Sequence, residues 1–578
     1  MFGADTLALT PPMGWRSWNS MQDSVTQAKM ETAMSKLAEK RPWGLDGARA
    51  SLADLGYGTV GLDDAWQACG TGVNGSFHDG ATGRPLVNTS TFPDLGAMVA
   101  KAHALGLRAG FYINNCICAE NMWRGADAFS TAMAARVFEG TAAQVLEWGF
   151  DGVKIDSCSQ FSNMTRWAEL FAGGPQTVLL EDCHDSDLQD PCPAALACPE
   201  KAGACPYSLW RTSGDIGANW PSMFHNLQLM LPWLGTPSLS RPGRWAYPDM
   251  MQVGQMEGGQ LEDRAHFGAW CVCSAPLTLG HDVTDDALTR RIWGIVTNRE
   301  AIAVNQAWAG HPGRVLRSLP SAQPSPPGDT SCGGYSCDTQ LWVKPLSATN
   351  GSTAVFLLAN SDPASPNASY AVDLAWLGMA GGRGATVRDV WRGADLGVVH
   401  ANLTTDAFGG HDSRFYIVTP LDPPSAAAQV PSPRRTCEES CLHGPAGVTP
   451  ALELGHCCSG TNSSGQMPSC AMGCQIARSV PTFDECAATC TRAIGQCTFG
   501  PSAATGGQTF NQCANCIDGP GPNCATIFGI NSSTPSVCSV QGFDKTCQVT
   551  RGCRDYGGEP ASDCKQACLF TFGCEVAN

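Results

Sequence analysis

Charge is thin in this chain. Lys and Arg number 36 and Asp and Glu 52 in 578 residues, 15% charged with a formal net charge of −16. There is no basic run. Nucleic acid and anionic membrane surfaces are therefore excluded as partners, because their phosphates would meet net repulsion. A neutral substrate fits better. No apolar stretch is long enough to span a bilayer. Histidine is also sparse, at 11 residues. Only His184 and His281 fall near predicted strand ends, whereas a metal-dependent hydrolase would gather several, so neither metal nor cofactor is expected. A secretory leader is missing too: Met1-Phe2-Gly3-Ala4-Asp5 has no basic start and no apolar segment behind it.

Cysteine is abundant, at 30 residues. So many thiols are hard to keep reduced, which points to an oxidising compartment. Eight N-x-S/T sequons, at Asn74, Asn88, Asn163, Asn350, Asn367, Asn402, Asn462 and Asn531, point the same way. The cysteines outweigh the absent leader. The expectation is a disulfide-bonded glycoprotein, secreted or vacuolar/lysosomal, whose N-terminus has been trimmed or wrongly assigned. With 64 Gly, 38 Pro and 43% hydrophobic residues, the composition is that of a folded, loop-rich chain too long for one core.

From Leu9 to about Asn305, short apolar strands alternate with amphipathic segments. Candidate strands are Gly58–Leu62, Leu107–Ile113, Gly152–Ile155, Thr177–Leu180, Tyr207–Arg211 and Ala275–Leu279. Candidate helices include Thr26–Glu39, Phe92–Leu105 and Ala132–Trp148. Such alternation predicts an α/β fold with a parallel sheet. An open nucleotide-binding sheet would carry a glycine-rich turn after its first strand. Pro12-Met13-Gly14-Trp15 stands there instead, which favours a closed (β/α)₈ TIM barrel over residues 1–310. Short strands separated by Gly, Pro, Asn and Ser predict an antiparallel β-sandwich over 311–422. A Pro/Ser/Ala linker at 423–436 leads to a Cys-rich region at 437–578. That region holds 18 of the 30 cysteines, four pairs of them spaced C-x₃-C, and reads as one or more disulfide modules of unreadable connectivity.

Asp63-Asp64, Asn114, Asp156, Glu181-Asp182 and Asp215 fall at the C-terminal ends of predicted strands. In a barrel those ends converge on one face, where active sites are built. Helix capping accounts for one or two such acids, but not for carboxylates after four or five successive strands. Trp15, Trp18, Trp66, Trp123 and Trp245 accompany them. For Trp66, core packing is as good a reading as sugar stacking.

Seven motifs occur in order: Pro12-Met13-Gly14-Trp15-Arg16-Ser17-Trp18-Asn19, Leu62-Asp63-Asp64-Ala65-Trp66, Gly152-Val153-Lys154-Ile155-Asp156-Ser157-Cys158, Trp210-Arg211-x₃-Asp215-Ile216, Pro242-Gly243-Arg244-Trp245-x₂-Pro248-Asp249-Met250, Ser274-Ala275-Pro276-Leu277 and Ala303-Val304-Asn305-Gln306. Together they resemble glycoside hydrolase family 27, the α-galactosidases and α-N-acetylgalactosaminidases, over Leu9 to Pro420. The resemblance implies that Asp156 is the nucleophile and Asp215 the acid/base of a retaining exo-glycosidase. Retaining hydrolysis does need two facing carboxyl groups. It further implies that Asp63 and Asp64 bind the hydroxyls around sugar carbons 4 and 6, and that Trp18 stacks on the ring. Tyr112, Lys154, Glu181, Arg211 and Asp249 join the substrate site, and Cys158 pairs with Cys116 or Cys118 at its rim.

The departures fall at one edge of the sugar. The family's C-E-W-x₂-Y loop, which reads the 2-position, is replaced by Glu181-Asp182-Cys183-His184-Asp185 and an insertion containing Cys192, Cys198 and Cys205. The N-D-P-D element becomes Ala246-Tyr247-Pro248-Asp249. An α-galactosidase is the main reading. A β-L-arabinopyranosidase or α-N-acetylgalactosaminidase on the same scaffold is the alternative, and a silent carbohydrate-binding protein is the competing class. In the tail, Cys486-x₃-Cys490-x₆-Cys497-x-Phe499 faintly resembles PAN/apple modules, which implies a partner of polysaccharide or protein; a disulfide-stabilised spacer is the plainer account.

Overall fold

The computed structural model describes residues 8–43, 49–113, 118, 131–156, 161, 163–174, 176–183, 206–235, 238–321, 332, 335–379 and 382–422, with two short pairs at 553–554 and 560–561. The linker and Cys-rich region expected beyond 422 lie almost wholly outside them.

Eight parallel strands form the first domain: β1 (Met13–Arg16), β2 (Thr59–Gly61), β3 (Arg108–Ile113), β4 (Gly152–Asp156), β5 (Leu179–Cys183), β6 (Leu209–Arg211), β7 (Trp245–Tyr247) and β8 (Leu277–Leu279). From β1 to β7 each strand pairs with its sequence neighbours, and β8 returns to β1. The remaining gap is spanned by the parallel bridge Met251↔Leu279, where Met251 N donates to Thr278 O at 2.8 Å. The sheet thus curls into the (β/α)₈ barrel. Around it lie α1 (Trp18–Met21), α2 (Gln27–Ala38), α3 (Leu95–Ala104), α4 (Thr131–Trp148), α5 (Met164–Ala172), α6 (Trp220–Gln228), α7 (Gln260–Val272), α8 (Asp286–Val296) and α9 (Arg299–Gln306). Local signals set the helix ends. Thr26, Asp94, Asn163, Asn219, Asp285 and Asn298 each accept a backbone N–H at an N-terminus. In α2, Met30, Ala33, Met34 and Leu37 make a buried stripe at i, i+3, i+4, i+7.

One strand lies further along the chain than its apolar run suggests. The run at 177–180 predicts a strand ending before Glu181, but β5 extends to Cys183. It is held by Leu179 N on Asp151 O and by pairing of Glu181 with Lys154 and Cys183 with Asp156. Glu181 and Asp182 are therefore strand residues rather than residues of the loop beyond.

The second domain is an antiparallel sandwich. Its main sheet runs β14-β13-β16-β11-β10-β9, with β9 (Arg314–Leu319), β10 (Thr339–Pro345), β11 (Thr353–Ala359), β13 (Ala385–Asp389), β14 (Ala394–Val399) and β16 (Ser413–Pro420). A small sheet pairs β12 (Ala371–Asp373) with β15 (Asn402–Thr404). One face of the main sheet packs on α7. A side chain at Gly268 would bring a Cβ to 2.4 Å from the Phe356 ring and 2.8 Å from Trp391, so this close approach requires glycine. Of the sequon asparagines, Asn74, Asn163, Asn350, Asn367 and Asn402 are exposed and Asn88 is half-buried; Asn462 and Asn531 lie outside the described residues.

Three histidines are buried where protonation is costly. Burial pulls His266 down to about 3, and His281 and His311 down to about 4. Each stays neutral in the folded chain, while the unfolded chain takes a proton near 6.5. Their contribution is thus full above that pH and shrinks as pH falls below it, by up to about 1.4 kcal/mol per unit for each group. His266 lies on α7 against Trp270, ring centroids 4.1 Å apart, and among the described residues neither ring nitrogen has a hydrogen-bond partner. We expect His266→Phe to shrink the drop in melting temperature between pH 7 and pH 5. A drop as large as that of the unaltered protein would exclude His266 as a source of acid lability.

Candidate active site

The carboxylates predicted at strand ends do gather at the C-terminal side of the barrel. Asp156 closes β4, and its Oδ2 accepts the Tyr112 hydroxyl at 2.7 Å from β3. Burial pushes the Tyr112 phenol well above its usual range, helped by Asp64 and Asp156, so it remains a donor. Asp215 follows β6. Its side chain is 78% exposed, and its Oδ1 accepts the Arg211 guanidinium at 2.7 Å. Arg211 also lies 4.0 Å from Asp249 Oδ2. Asp249 follows β7 at φ 76°, a left-handed conformation that its type seldom adopts. Its carboxylate accepts Ile216 N at 2.9 Å and Met250 N at 2.7 Å. Burial raises its pKa against the pull of Arg211. The nucleophile and acid/base candidates therefore stand on non-adjacent strands, each with its own oxygen or nitrogen partner.

Asp63 and Asp64 follow β2 and are both buried. Asp63 Oδ2 accepts Lys154 Nζ at 2.9 Å. Asp63 Oδ1 accepts Asp64 N at 2.9 Å, and Asp63 N donates to Ser17 Oγ at 3.0 Å. Burial would raise the Asp63 pKa, but Lys154, Arg16 and that backbone N–H outweigh it, and the carboxylate stays charged. Asp64 Oδ1 accepts Ala65 N and Gln67 Nε2, both at 2.8 Å. The pair is fixed before any sugar arrives. Lys154 pairs with Asp63 rather than with Asp156 two positions away, and its ammonium lies 5.3 Å from the Tyr112 ring centre. The half-buried Trp18 opens α1 directly after β1.

One expectation is corrected, and one residue gains detail. Cys118 is bonded to Cys69, which removes it as the partner of Cys158; Cys116 and Cys158 lie outside the described residues. Glu181, expected in the substrate site, is held by the protein's own groups. Both its oxygens bond Arg16, one of them at 2.8 Å, and the Tyr247 hydroxyl donates to the same carboxylate. Burial would raise its pKa, but Arg16 holds it low. The remaining aromatic candidates sort cleanly. Trp15, Trp66 and Trp245 are core, each with its indole N–H on a backbone carbonyl. Trp123, His184 and the insertion to Cys205 lie outside the described residues. His281 is fully buried, its Nε2 facing Thr289.

Arg16 and Tyr247 were missed by motif reading, although alternation could have found them. Arg16 is in phase with Gly14, and Tyr247 with Trp245, so both point where contacts from β1, β5 and β7 can meet only inside the barrel.

A family model described as alpha galactosidase A matches residues 10–307, and one described as the alpha galactosidase C-terminal beta sandwich domain matches residues 336–418. An alpha-galactosidase of Oryza sativa subsp. japonica is 27% identical over 425 residues, covering 72% of this chain and 86% of the relative. A probable alpha-galactosidase of Dictyostelium discoideum is 29% identical over 414 residues, covering 69% and 90%. Among solved structures, alpha-galactosidase I from Mortierella vinacea superposes with a TM-score of 0.55 at 23% identity, covering 72% of this chain and 98% of that one. A GH27 β-L-arabinopyranosidase from Geobacillus stearothermophilus does so at 0.54 and 19%, with the same coverage.

Proposed function

Because the chain belongs to the alpha galactosidase A family, we propose that it hydrolyses terminal α-galactosyl residues with retention of configuration, by double displacement at Asp156 and Asp215. The observation that carries this reading is the pair of acids on β4 and after β6, on the same barrel face as the preset Asp63–Asp64 pair. Asp156 attacks the anomeric carbon. Tyr112 donates to its Oδ2 and orients the oxygen that stays behind. Asp215 protonates the leaving oxygen and then takes a proton from the attacking water. The Arg211 guanidinium bonds Asp215 Oδ1, and that oxygen has to be released before it can face the leaving group. Substrate therefore has to draw Arg211 away, and the sugar's 2-hydroxyl is the acceptor that does so. Among the described residues, Arg211 is the group placed to read that position. Asp63 and Asp64 take the hydroxyls at the far edge, and Trp18 stacks on the ring.

A panel of nitrophenyl glycosides tests the substrate: α-galactose, α-N-acetylgalactosamine, β-L-arabinopyranose and α-glucose. NMR of the first-formed sugar tests the stereochemistry. Preference for the N-acetyl sugar, or inversion, would overturn the assignment.

The domain bounds carry a second expectation. Barrel over 1–310 and sandwich over 311–422 make the catalytic unit, and the Cys-rich region beyond the linker binds polysaccharide or protein. Among the described residues no helix is long and apolar enough to cross a membrane. Together with the disulfides and exposed sequons, this supports a secreted or vacuolar location. A chain ending near Pro433 should keep its turnover on a small nitrophenyl galactoside and lose retention on cell-wall polymers or glycoproteins. A large loss of turnover with the barrel still folded would mean that the tail closes the active site.

A further inference from the structure

The two places where the sequence departs from the family pattern meet inside the barrel. Tyr247, from the altered element before Pro248, donates to Glu181, from the altered fifth-strand segment. Arg16 from β1 completes the set. One guanidinium nitrogen reaches Glu181 Oε1 at 2.8 Å, and a second reaches Oε2. The remaining nitrogen, Nε, lies 3.7 Å from Asp63 Oδ2, the same oxygen that accepts Lys154. Arg16 thus uses its fork on Glu181 and its inner edge on the sugar-binding acid. Its side chain is 12% exposed, and those of Glu181, Lys154 and Asp63 are 7%, 10% and 3%.

Little packing supports these groups from the N-terminal side of the barrel. A cavity of about 590 Å³ opens there, lined by Gly14, Gly58, Gly61, Gly110 and Gly152. Arg16, Lys154 and Glu181 border it. In barrels of this kind, layers of branched side chains normally fill that space. Here glycine stands at several of the lining positions, beside Thr59, Leu179, Leu209 and Thr278, and the Arg16 stem lies flat on Gly61, where a Cβ would sit 3.4 Å from both its Cγ and its Nε. On the side of the cavity, Arg16, Lys154 and Glu181 are therefore held in large part by their bonds to one another and to Asp63.

We propose that Arg16, anchored by Glu181 and Tyr247, is a positioning residue that fixes the Asp63–Lys154 pair for sugar recognition. The inference rests on the assignment of Asp63 to the sugar made above. Arg16 touches no substrate. It holds Asp63 Oδ2 from beneath, so that the carboxylate cannot turn away when a hydroxyl is offered from above. Glu181 fixes the guanidinium plane by the two-point geometry that Arg and carboxylate share, and Tyr247 prevents the Glu181 carboxylate from rotating.

Removing Arg16 alone would strand Glu181 as a buried, unpaired charge, so its effects would be mixed with unfolding. The triple variant Arg16→Met/Glu181→Met/Tyr247→Phe removes all three polar groups together and leaves no partner stranded. Replacing a buried ion pair by apolar groups of similar volume is often neutral for stability. We expect this variant to melt close to the unaltered protein. The effect should fall on KM for 4-nitrophenyl α-galactoside, raised about tenfold or more with a smaller change in kcat. The preference for the galactoside over the α-glucoside should fall by a similar factor, because Asp63 no longer holds its orientation. A folded triple variant with unaltered KM and unaltered preference would overturn the proposal and leave the triad as a stability element only. Should the triple variant fail to fold, Arg16→Lys decides: it keeps a cation but not the fork, and KM is expected to rise several-fold, whereas an unchanged KM overturns the proposal. The unaltered protein is assayed first. If it is inactive on the galactoside while active on another sugar, the substrate assignment fails, and this inference fails with it for a different, visible reason.

Discussion

Asp156→Ala and Asp215→Ala are each expected to lower kcat/KM on a natural α-galactoside by at least about 10³-fold. The two losses should differ in kind. Without Asp156 no covalent intermediate forms, and the variant stays inactive even on substrates with good leaving groups. Added azide is small enough to enter the space left by the carboxylate and attack the anomeric carbon, which gives a glycosyl azide of inverted configuration. Without Asp215 the leaving oxygen receives no proton. A nitrophenolate needs little help, so the first step on nitrophenyl galactoside survives, and the slow step becomes hydrolysis of the intermediate, which now lacks its base. Azide should accelerate that second step and give a product of retained configuration. The configuration of the azide adduct, read by NMR, assigns the roles without reference to rates. Retention for the Asp156 variant and inversion for the Asp215 variant would exchange the two roles. Full activity in either variant would remove that residue from the chemistry. Tyr112→Phe, which deletes the hydroxyl 2.7 Å from Asp156, should cost less than either.

The barrel was legible because its signals are local and repeated. Arg108–Ile113 is apolar after its first residue, and Gly152–Asp156 ends on a carboxylate. Helices such as Gln27–Ala38 carry both a cap and a 3.6-residue stripe. Asp156 and Asp215 were legible for the same reason, since a strand end names its face. Glu181 was misplaced because an apolar run ended at Leu180, while the strand itself was set by pairing with β4, a partner almost thirty residues back. Its contact with Arg16 was hidden for the same reason, since only its place inside the strand turns it towards β1. Short strands were hardest. The strand Trp245–Tyr247 has only three residues, too short an apolar run to announce a strand, and neighbours impose it. The Cys69–Cys118 bridge was not legible at all, because a disulfide joins positions close in space and sequence spacing carries no distance.

Discrimination at the sugar's 4-position should be strong, and it follows from how the Asp63–Asp64 pair is held. Asp63 is buried and kept ionised by Lys154 and Arg16 against the pull of burial. Asp64 is equally buried, with one oxygen committed to Ala65 N and Gln67. Neither carboxylate can follow a displaced hydroxyl without breaking those bonds. On the proposed assignment, an axial 4-hydroxyl meets the pair directly. Its equatorial epimer points away and leaves a carboxylate lone pair dehydrated and without a donor. That costs about 1–3 kcal/mol for a polar group and more for a charged one, and each 1.36 kcal/mol is a factor of ten. The expected preference for α-galactoside over α-glucoside is therefore roughly tenfold to several-hundredfold in kcat/KM. Asp63→Asn should erode it, because the amide keeps the shape but no longer offers Lys154 a charge, and Asp64→Asn should do so by a comparable factor. The ratio of specificity constants is the measurement that matters, since a variant that is merely unstable loses both substrates together. Equal rates of the unaltered protein on the two epimers would refute the role of the pair. A preserved ratio in Asp63→Asn would place the selectivity on Asp64 alone.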